Sequence, residues 1–359
     1  MEINHLIIYI MVAFLCLGAI DRCTGNRMGL GQEFNDGFMA MGSLTMSMVG
    51  IISLSPILAG LLGPIVTPIY NLIGADSSGF ANMLLALDMG GYALAQEMSI
   101  NPQAELFSWV FLGTMMGPTF VFTIPVALGI IGREDQQYFA KGILLGIITV
   151  PFGCLAGGLV ANINIMIIIA NLIPTTIFSI AVAIGLWKST AKMIKGFYFF
   201  GRSIEIMAIL GLTIIIIETL TGIIIIPGMK PITEGIETVG MIAIVLAGAF
   251  PMVAFITRIF KRSLERIGHC LGMNDVSTAG MIASLAHNIP MLIMLKNMDP
   301  RGKVVNVAFS VSGAFVFGGH LGFVSSVNKE MVFAMIVGKL VGGIMAILLA
   351  ILTTPKSKI

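Results

Sequence analysis

FANMLLALDMGGYALAQEM, residues 80 to 98, is too apolar for the surface of a soluble domain and too interrupted for an ordinary membrane helix. Asp88, Gly90 and Gly91 stand at its middle. VSTAGMIASLAHNIPMLIML, residues 276 to 295, has the same character, apolar on both sides of a break at His287, Asn288, Ile289 and Pro290. Proline and paired glycines strip hydrogen bonds from a helix, and in hydrocarbon the freed groups survive only where protein or a water-lined cavity satisfies them. Both segments are therefore read as re-entrant hairpins, each entering and leaving the bilayer on one side.

Around them lie nine strongly apolar segments, at about 4 to 20, 38 to 62, 106 to 132, 140 to 160, 163 to 187, 203 to 226, 236 to 257, 304 to 324 and 331 to 353. Most reach the ~20 residues that cross ~30 Å of hydrocarbon as a helix. Of the 359 residues, 57% are hydrophobic and 11% charged, against roughly 25% charged in a soluble domain. The fold class is thus an all-α polytopic integral membrane protein, with no stretch left over for a separate soluble domain. A tethered enzyme and nucleic-acid binding are excluded on the same ground. The chain opens Met1-Glu2-Ile3-Asn4-His5 with neither a basic region nor a small-residue cleavage site, which predicts a retained span. Cys16, Cys23, Cys154 and Cys270 have no metal-ligand spacing and imply neither disulfides nor zinc.

The two broken segments are counterparts in an internal repeat. Gly37, Gly42, Gly50, Gly74 and Pro102 recur 198 positions later as Gly235, Gly240, Gly248, Gly272 and Pro300. Two units follow, residues 1–160 with the re-entrant segment 80–98 and residues 200–359 with the re-entrant segment 276–295, joined by a linker helix within 161–199. Charge placement chooses the topology. If all eleven segments crossed, the basic residues would divide almost evenly between the two sides. With two hairpins and nine spans, the loops from Arg22 to Lys358 gather nearly every Lys and Arg on one side, leaving Lys230 and Lys329 opposite. That arrangement puts the N-terminus outside, the C-terminus in the cytoplasm, and the two units in inverted orientation. Inverted repeats with broken helices near the midplane are a common architecture of secondary transporters.

Few residues inside the membrane can do chemistry. An acidic group at the position of Asp88 costs roughly 2.5 to 3.5 kcal/mol on insertion scales, so Asp88 is either paired or kept for a cationic ligand. His287 and Asn288, at the equivalent break, can hydrogen-bond a hydroxyl or brace freed carbonyls. His320 sits in a small-residue stretch and can carry a proton. Asn82, Thr114 and Thr119 are polar in membrane segments, with Gly117 and Pro118 opening the helix beside the threonines. Interhelical hydrogen bonding competes with ligand contact for all of these. Arg202 and Glu205 read as an ordinary i, i+3 pair, Asp21 as a cap, and Gly142, Gly146, Gly338 and Gly342 as helix contacts. Lys339 is read as snorkelling, and Trp109 and Trp187 as an interfacial belt. No phosphate loop, metal pair or nucleophile elbow is present. An intramembrane enzyme using Asp88 with a histidine is the remaining catalytic reading, and it lacks a nucleophile constellation.

The runs DGFMAMGSLTMSMVGIISLSPILAGLLGP (36 to 64), LALDMGG (85 to 91), GTMMGPTFVFTIPVALGI (113 to 130) and AFVFGGHLGF (314 to 323) resemble the ethanolamine permease family of bacterial ethanolamine-utilisation operons. The resemblance extends almost end to end. It implies import of ethanolamine across the bacterial cytoplasmic membrane, by a secondary transporter or a facilitator, with transport of another small amine or organic ion as the alternative. The expected site follows from that solute: Asp88 for the ammonium, and Asn288, His287 or Thr119 for the hydroxyl, with Asn82 and His320 nearby. No cofactor is expected beyond a coupling H⁺ or Na⁺. The expected partners are ethanolamine and the lipid bilayer, and inverted-repeat carriers often pair, which leaves a homodimer open.

Overall fold

The computed structural model describes residues 3–355; Lys356 and Lys358 lie outside it, as do the side chains of 260–265, 267, 269 and 270, which include Lys261, Arg262 and Cys270. Every regular element among the described residues is helical: α1 (Ile3–Cys23), α2 (Leu30–Leu72), α3 (Ser78–Leu84), α4 (Gly91–Met98), α5 (Pro102–Phe107), α6 (Gly113–Pro118), α7 (Ile124–Ile130) and α8 (Gln136–Val160) in the first part. There follow α9 (Ile165–Thr221), α10 (Ile232–Cys270), α11 (Asp275–Ser284), α12 (Asn288–Met294), α13 (Pro300–Gly313), α14 (Gly319–Val327) and α15 (Val332–Thr353). Seven of the described helical runs are long and apolar enough to cross a membrane. The fold is that of a polytopic membrane protein.

Two stretches differ from the apolar segments read in the sequence. α9 is two helices meeting at a kink at Ser189, where the backbone leaves the helical region (φ −152°, ψ 56°), and they carry most of 163–187 and 203–226. The segment 304–324, expected as one continuous span, is broken between α13 and α14, where Phe315 takes a positive φ of 60°. Its composition hid the break, since Ala314-Phe315-Val316-Phe317 is apolar throughout.

The run 102–130 is irregular in another way. α5, α6 and α7 are joined by π-helical turns at Ser108–Leu112 and Thr119–Thr123. Pro118 accounts for the second: without an N–H it leaves the Thr114 carbonyl unpaired and shifts the register beyond it.

Each broken segment has its ends pinned together by one carboxylate. Asp76 accepts from the amides of Ser78 (2.9 Å), Ile100 (2.9 Å) and Asn101 (2.8 Å), at the start of α3 and just beyond α4. Asp299 accepts from the amides of Asn274 and Gly302, both at 2.9 Å, before α11 and at the start of α13. Carboxylates accepting backbone N–H bonds hold such joints firmly.

The core is densest around the irregular run, where Phe107, Phe111, Leu112, Met115 and Phe120 are fully buried. Trp109 lies among them, 1% exposed and edge-on to Tyr92 of α4 at 5.2 Å, rather than in an interfacial belt. Trp187 is 78% exposed. The glycines of α8 and α15 allow close crossings: Gly142 meets Val307, Gly146 meets Val311, and Gly153 meets the Gly338 backbone. Other polar contacts join helix ends: Asn4 to the Glu330 carbonyl, Lys230 to Glu97, Lys141 to the Thr353 carbonyl, Lys303 to Asp135 and Arg258 to the Met28 carbonyl.

Candidate functional site

The first break is built from extended backbone at Leu85 and Ala86, a tight turn through Leu87–Met89, and Gly90 at φ 87°. A side chain at Gly90 would collide with Ile51, and one at Gly117 with the Leu85 carbonyl, so helices crowd this turn from two directions. Asp88 sits in the turn, partly accessible, and among the described residues no cation comes within salt-bridge distance of its carboxylate.

At the second break His287 is extended and caps α12: its Nδ1 accepts from the Ile289 amide at 3.2 Å. That bond fixes the neutral tautomer with the proton on Nε2, a free donor. The break between α13 and α14 closes against this one. The Phe315 amide donates to the Ser284 carbonyl (2.9 Å) and the Phe317 amide to the Leu285 carbonyl (3.0 Å), so the two unwound strands satisfy each other. Gly318 packs its Cα so close to the Ala286 carbonyl that no side chain fits.

Both breaks open on one cavity of about 490 Å³. Asp88, His287 and His320 line it together, with Ser43 and Ser47 from α2 and the rings of Phe122 and Phe315. The rings form a continuous wall: His287 is 5.0 Å from Phe315 and 5.8 Å from Phe122, and Phe315 is 5.0 Å from His320. At the mouth stand Tyr198 and the exposed Arg202–Glu205 pair (2.7 Å), an ordinary i, i+3 bridge. A larger groove of about 810 Å³ runs along Leu128, Lys141, Trp187 and Lys195; no carboxylate lines it.

Four of the polar residues singled out in the membrane segments lie off the cavity wall. Asn82 is fully buried behind the first hairpin, donating to Ser108 Oγ at 2.9 Å, and Asn288 donates to Thr123 Oγ1 at 3.1 Å. Each ties its hairpin to a π-helical turn. The Thr119 hydroxyl donates to the Met115 carbonyl within its own helix, as Thr114 does to the Val110 carbonyl. Asp21 caps α2, accepting from the amides of Met28, Leu30 and Gly31.

Lys339 does not snorkel. It is 0% exposed, and its Nζ donates to the Thr114 carbonyl at 2.6 Å and lies 3.1 Å from His320 Nδ1, within hydrogen-bond distance. The carbonyl left without a donor by Pro118 is the one Lys339 takes. The signal was depth: Lys339 lies eight positions into α15, about as far from its start as Asp88 is from the start of its own segment. Ser43 and Ser47 share a helix face by their spacing of four, a weaker hint, and nothing in the sequence distinguished Phe122 or Phe315 from packing. Among the described residues no cluster of His, Cys, Asp and Glu could hold a metal ion.

Residues 3–353 match the family described as "Ethanolamine utilisation protein, EutH". The chain belongs to that family. It is 57% identical over 351 residues to the "Probable ethanolamine permease EutH" of Listeria monocytogenes, covering 98% of this chain and 94% of the relative. The Escherichia coli protein of the same name is 44% identical, with 99% and 97% covered, and the "Uncharacterized protein YxeR" of Bacillus subtilis 59% identical, with 99% and 96% covered. The named relatives are described as probable permeases, that is, as transporters rather than enzymes. No solved structure matches the chain.

Proposed function

We propose that the protein carries ethanolamine into the cell across the cytoplasmic membrane, acting as a secondary transporter with Asp88 as the ammonium site. One observation carries this: a carboxylate with no cation in salt-bridge contact at the break of a membrane segment, facing a cavity whose other charged lining is the Arg202–Glu205 pair at its mouth. A carboxylate inside a membrane cavity with no cation in direct contact is unfavourable, and a directly bound ammonium relieves that cost. The wall of Phe122 and Phe315 suits the cation on its other side, since ring faces attract an ammonium within about 6 Å. His287 Nε2–H and the Ser47 hydroxyl are within the same cavity to receive the substrate's hydroxyl.

The transport architecture in this proposal is nine crossings and two re-entrant hairpins in two inverted units, residues 1–160 and 200–359. Several contacts support it. Asp76 and Asn101 in the first unit correspond, 198 positions apart, to Asn274 and Asp299 in the second, with acid and amide exchanged between the two ends of each hairpin. The helix-end contacts sort into two groups under this topology: Glu97 with Lys230 and Asn4 with Glu330 outside, Lys303 with Asp135, Lys141 with Thr353 and Arg258 with Met28 inside. The cavity mouth at Tyr198 and Arg202 then faces the cytoplasm.

The test is uptake of labelled ethanolamine into proteoliposomes, with imposed proton or Na⁺ gradients and without. Accumulation above empty liposomes is expected for the native chain. Asp88→Asn is expected to lower uptake by about a hundredfold, the loss of a charge-paired contact, with membrane insertion intact. Normal uptake by the correctly inserted variant would discard Asp88 as the ammonium site, and no uptake by the native chain would shift the substrate to another small amine.

A further inference from the structure

Asp88 and Lys339 pose a problem of charge that the substrate site alone does not solve. Lys339 is fully buried in α15, out of the cavity, and reaches it only through the His320 ring, which lines it. Asp88 is the acid on that wall, apart from the self-compensated Arg202–Glu205 pair at the mouth. Lys339 touches the Thr114 carbonyl of α6 and His320 of α14, and the charges that act on it from further off are those of Asp88 in the first broken segment and Cys154 of α8, with His287 acting on His320. Among these, only Asp88 is an anion at neutral pH by its ordinary chemistry.

With the cavity empty, a charged Lys339 balances Asp88 and the buried site is neutral. When a substrate ammonium pairs with Asp88, the site carries one positive charge too many, in surroundings where an uncompensated ion costs several kcal/mol. Neutrality returns if one proton leaves, and the bonds for its departure are in place. In the tautomer with the His320 proton on Nε2, Nδ1 accepts from Lys339 and takes its proton, while the proton on Nε2 goes to cavity water. The reverse transfer, from water to Nε2 and from Nδ1 to the neutral amine, restores both groups. The Thr114 carbonyl freed by Pro118 holds the amine in place in either state, because an amine and an ammonium can both donate to it.

We propose, building on the transport reading above, that Lys339 is an exchangeable proton site and that each ethanolammonium ion crosses in exchange for one proton, relayed through His320. Transport is then electroneutral. The substrate-loaded carrier and the proton-loaded carrier both cross with a neutral site, and a carrier holding neither does not.

Proteoliposomes containing the full chain test this with three readouts. Exchange of labelled for unlabelled ethanolamine across the membrane reports binding and translocation alone. Net uptake under a K⁺ diffusion potential set with valinomycin reports charge movement, and a trapped pH dye reports the proton, with empty liposomes as the control for passive amine entry. The native chain is expected to show uptake indifferent to an inside-negative potential and alkalinisation of the lumen in step with it. Lys339→Met is expected to keep exchange within about twofold while net uptake falls by about tenfold or more, since the loaded form needs no charge at 339 but the returning form does. Native uptake accelerated by the potential, or net uptake and alkalinisation unchanged in Lys339→Met, overturns the proposal. Should Lys339→Met fail to insert, the response of the native chain to the potential decides alone. Absence of ethanolamine exchange by the native chain would overturn the transport reading itself, and this proposal with it.

Discussion

His287 does two things with one ring, and they can be separated. Its Nδ1 caps α12 while Nε2–H faces the cavity. Asparagine at the same position keeps a capping acceptor and loses the reach of the donor. His287→Asn is therefore expected to weaken ethanolamine uptake by about tenfold, the worth of one hydrogen bond. Competition by ethylamine, which has no hydroxyl, should be unchanged, and a parallel loss for both amines would place the role of His287 in the fold. Phe315 is the other residue whose geometry stands out. A non-glycine at φ 60° is strained, and such strain persists where the surroundings over-determine it, here by two amide bonds to the first strand of the second hairpin. At this scale the sequence was readable where a residue clashed with its setting. Asp88 and His320 were found because charge and imidazole are costly in hydrocarbon. Asn82, Asn288 and Thr119 were polar for the same outward reason, yet their partners are Ser108, Thr123 and the Met115 carbonyl, neighbours that only the folded chain brings near.

The two hairpins are held by the same joint made in opposite ways, which gives the elements a test of their own. Asp76→Asn removes charge from three amide contacts and is expected to lower stability by about 2 kcal/mol. Adding Asn101→Asp to it recreates the arrangement found at Asn274 and Asp299, and should recover more than half of the loss, read as the melting temperature of the detergent-solubilised protein. Independent effects of the two substitutions would mean that the joints are not equivalent. A second element-level prediction concerns the crossing of Gly318 on the Ala286 carbonyl. Gly318→Ala pushes the backbone next to His287 aside, at a cost of about 1 to 3 kcal/mol for overpacking, and uptake should fall more than stability does. The breaks within 80–98 and 276–295 were legible from Gly90, Gly91 and Pro290. The break before α14 was not, because its freed amides are satisfied by Ser284 and Leu285 and so need no polar side chain to mark the place.

Across the whole molecule, the side on which each loop emerges is the quantity to measure. Single cysteines at Lys296 and at Lys230 should be labelled by membrane-impermeant thiol reagents from opposite faces, the first from the cytoplasm, in a background with the native cysteines replaced. Labelling of both from one face would reverse the order of crossings proposed here. A cysteine at Ser43, on the cavity wall, should be reached from the cytoplasmic face and protected by ethanolamine. The span count was legible only approximately in the sequence, since apolar runs mark where lipid is and not where a helix bends. α9 makes this plain: the helices that carry its two apolar segments meet at a kink at Ser189 without a loop to separate them.

The chain has two tryptophans, and the fold gives them opposite surroundings. Trp109 is packed between Tyr92 of the first hairpin and Phe323 of α14, two elements that border the cavity, whereas Trp187 is open to its surroundings. Their fluorescence should therefore separate into a blue-shifted component shielded from quenchers and a second one that brominated lipid or iodide removes. With Trp187 replaced by phenylalanine, the remaining emission becomes an optical reporter of the hairpin's seating, recorded in real time and without any label as ethanolamine is added.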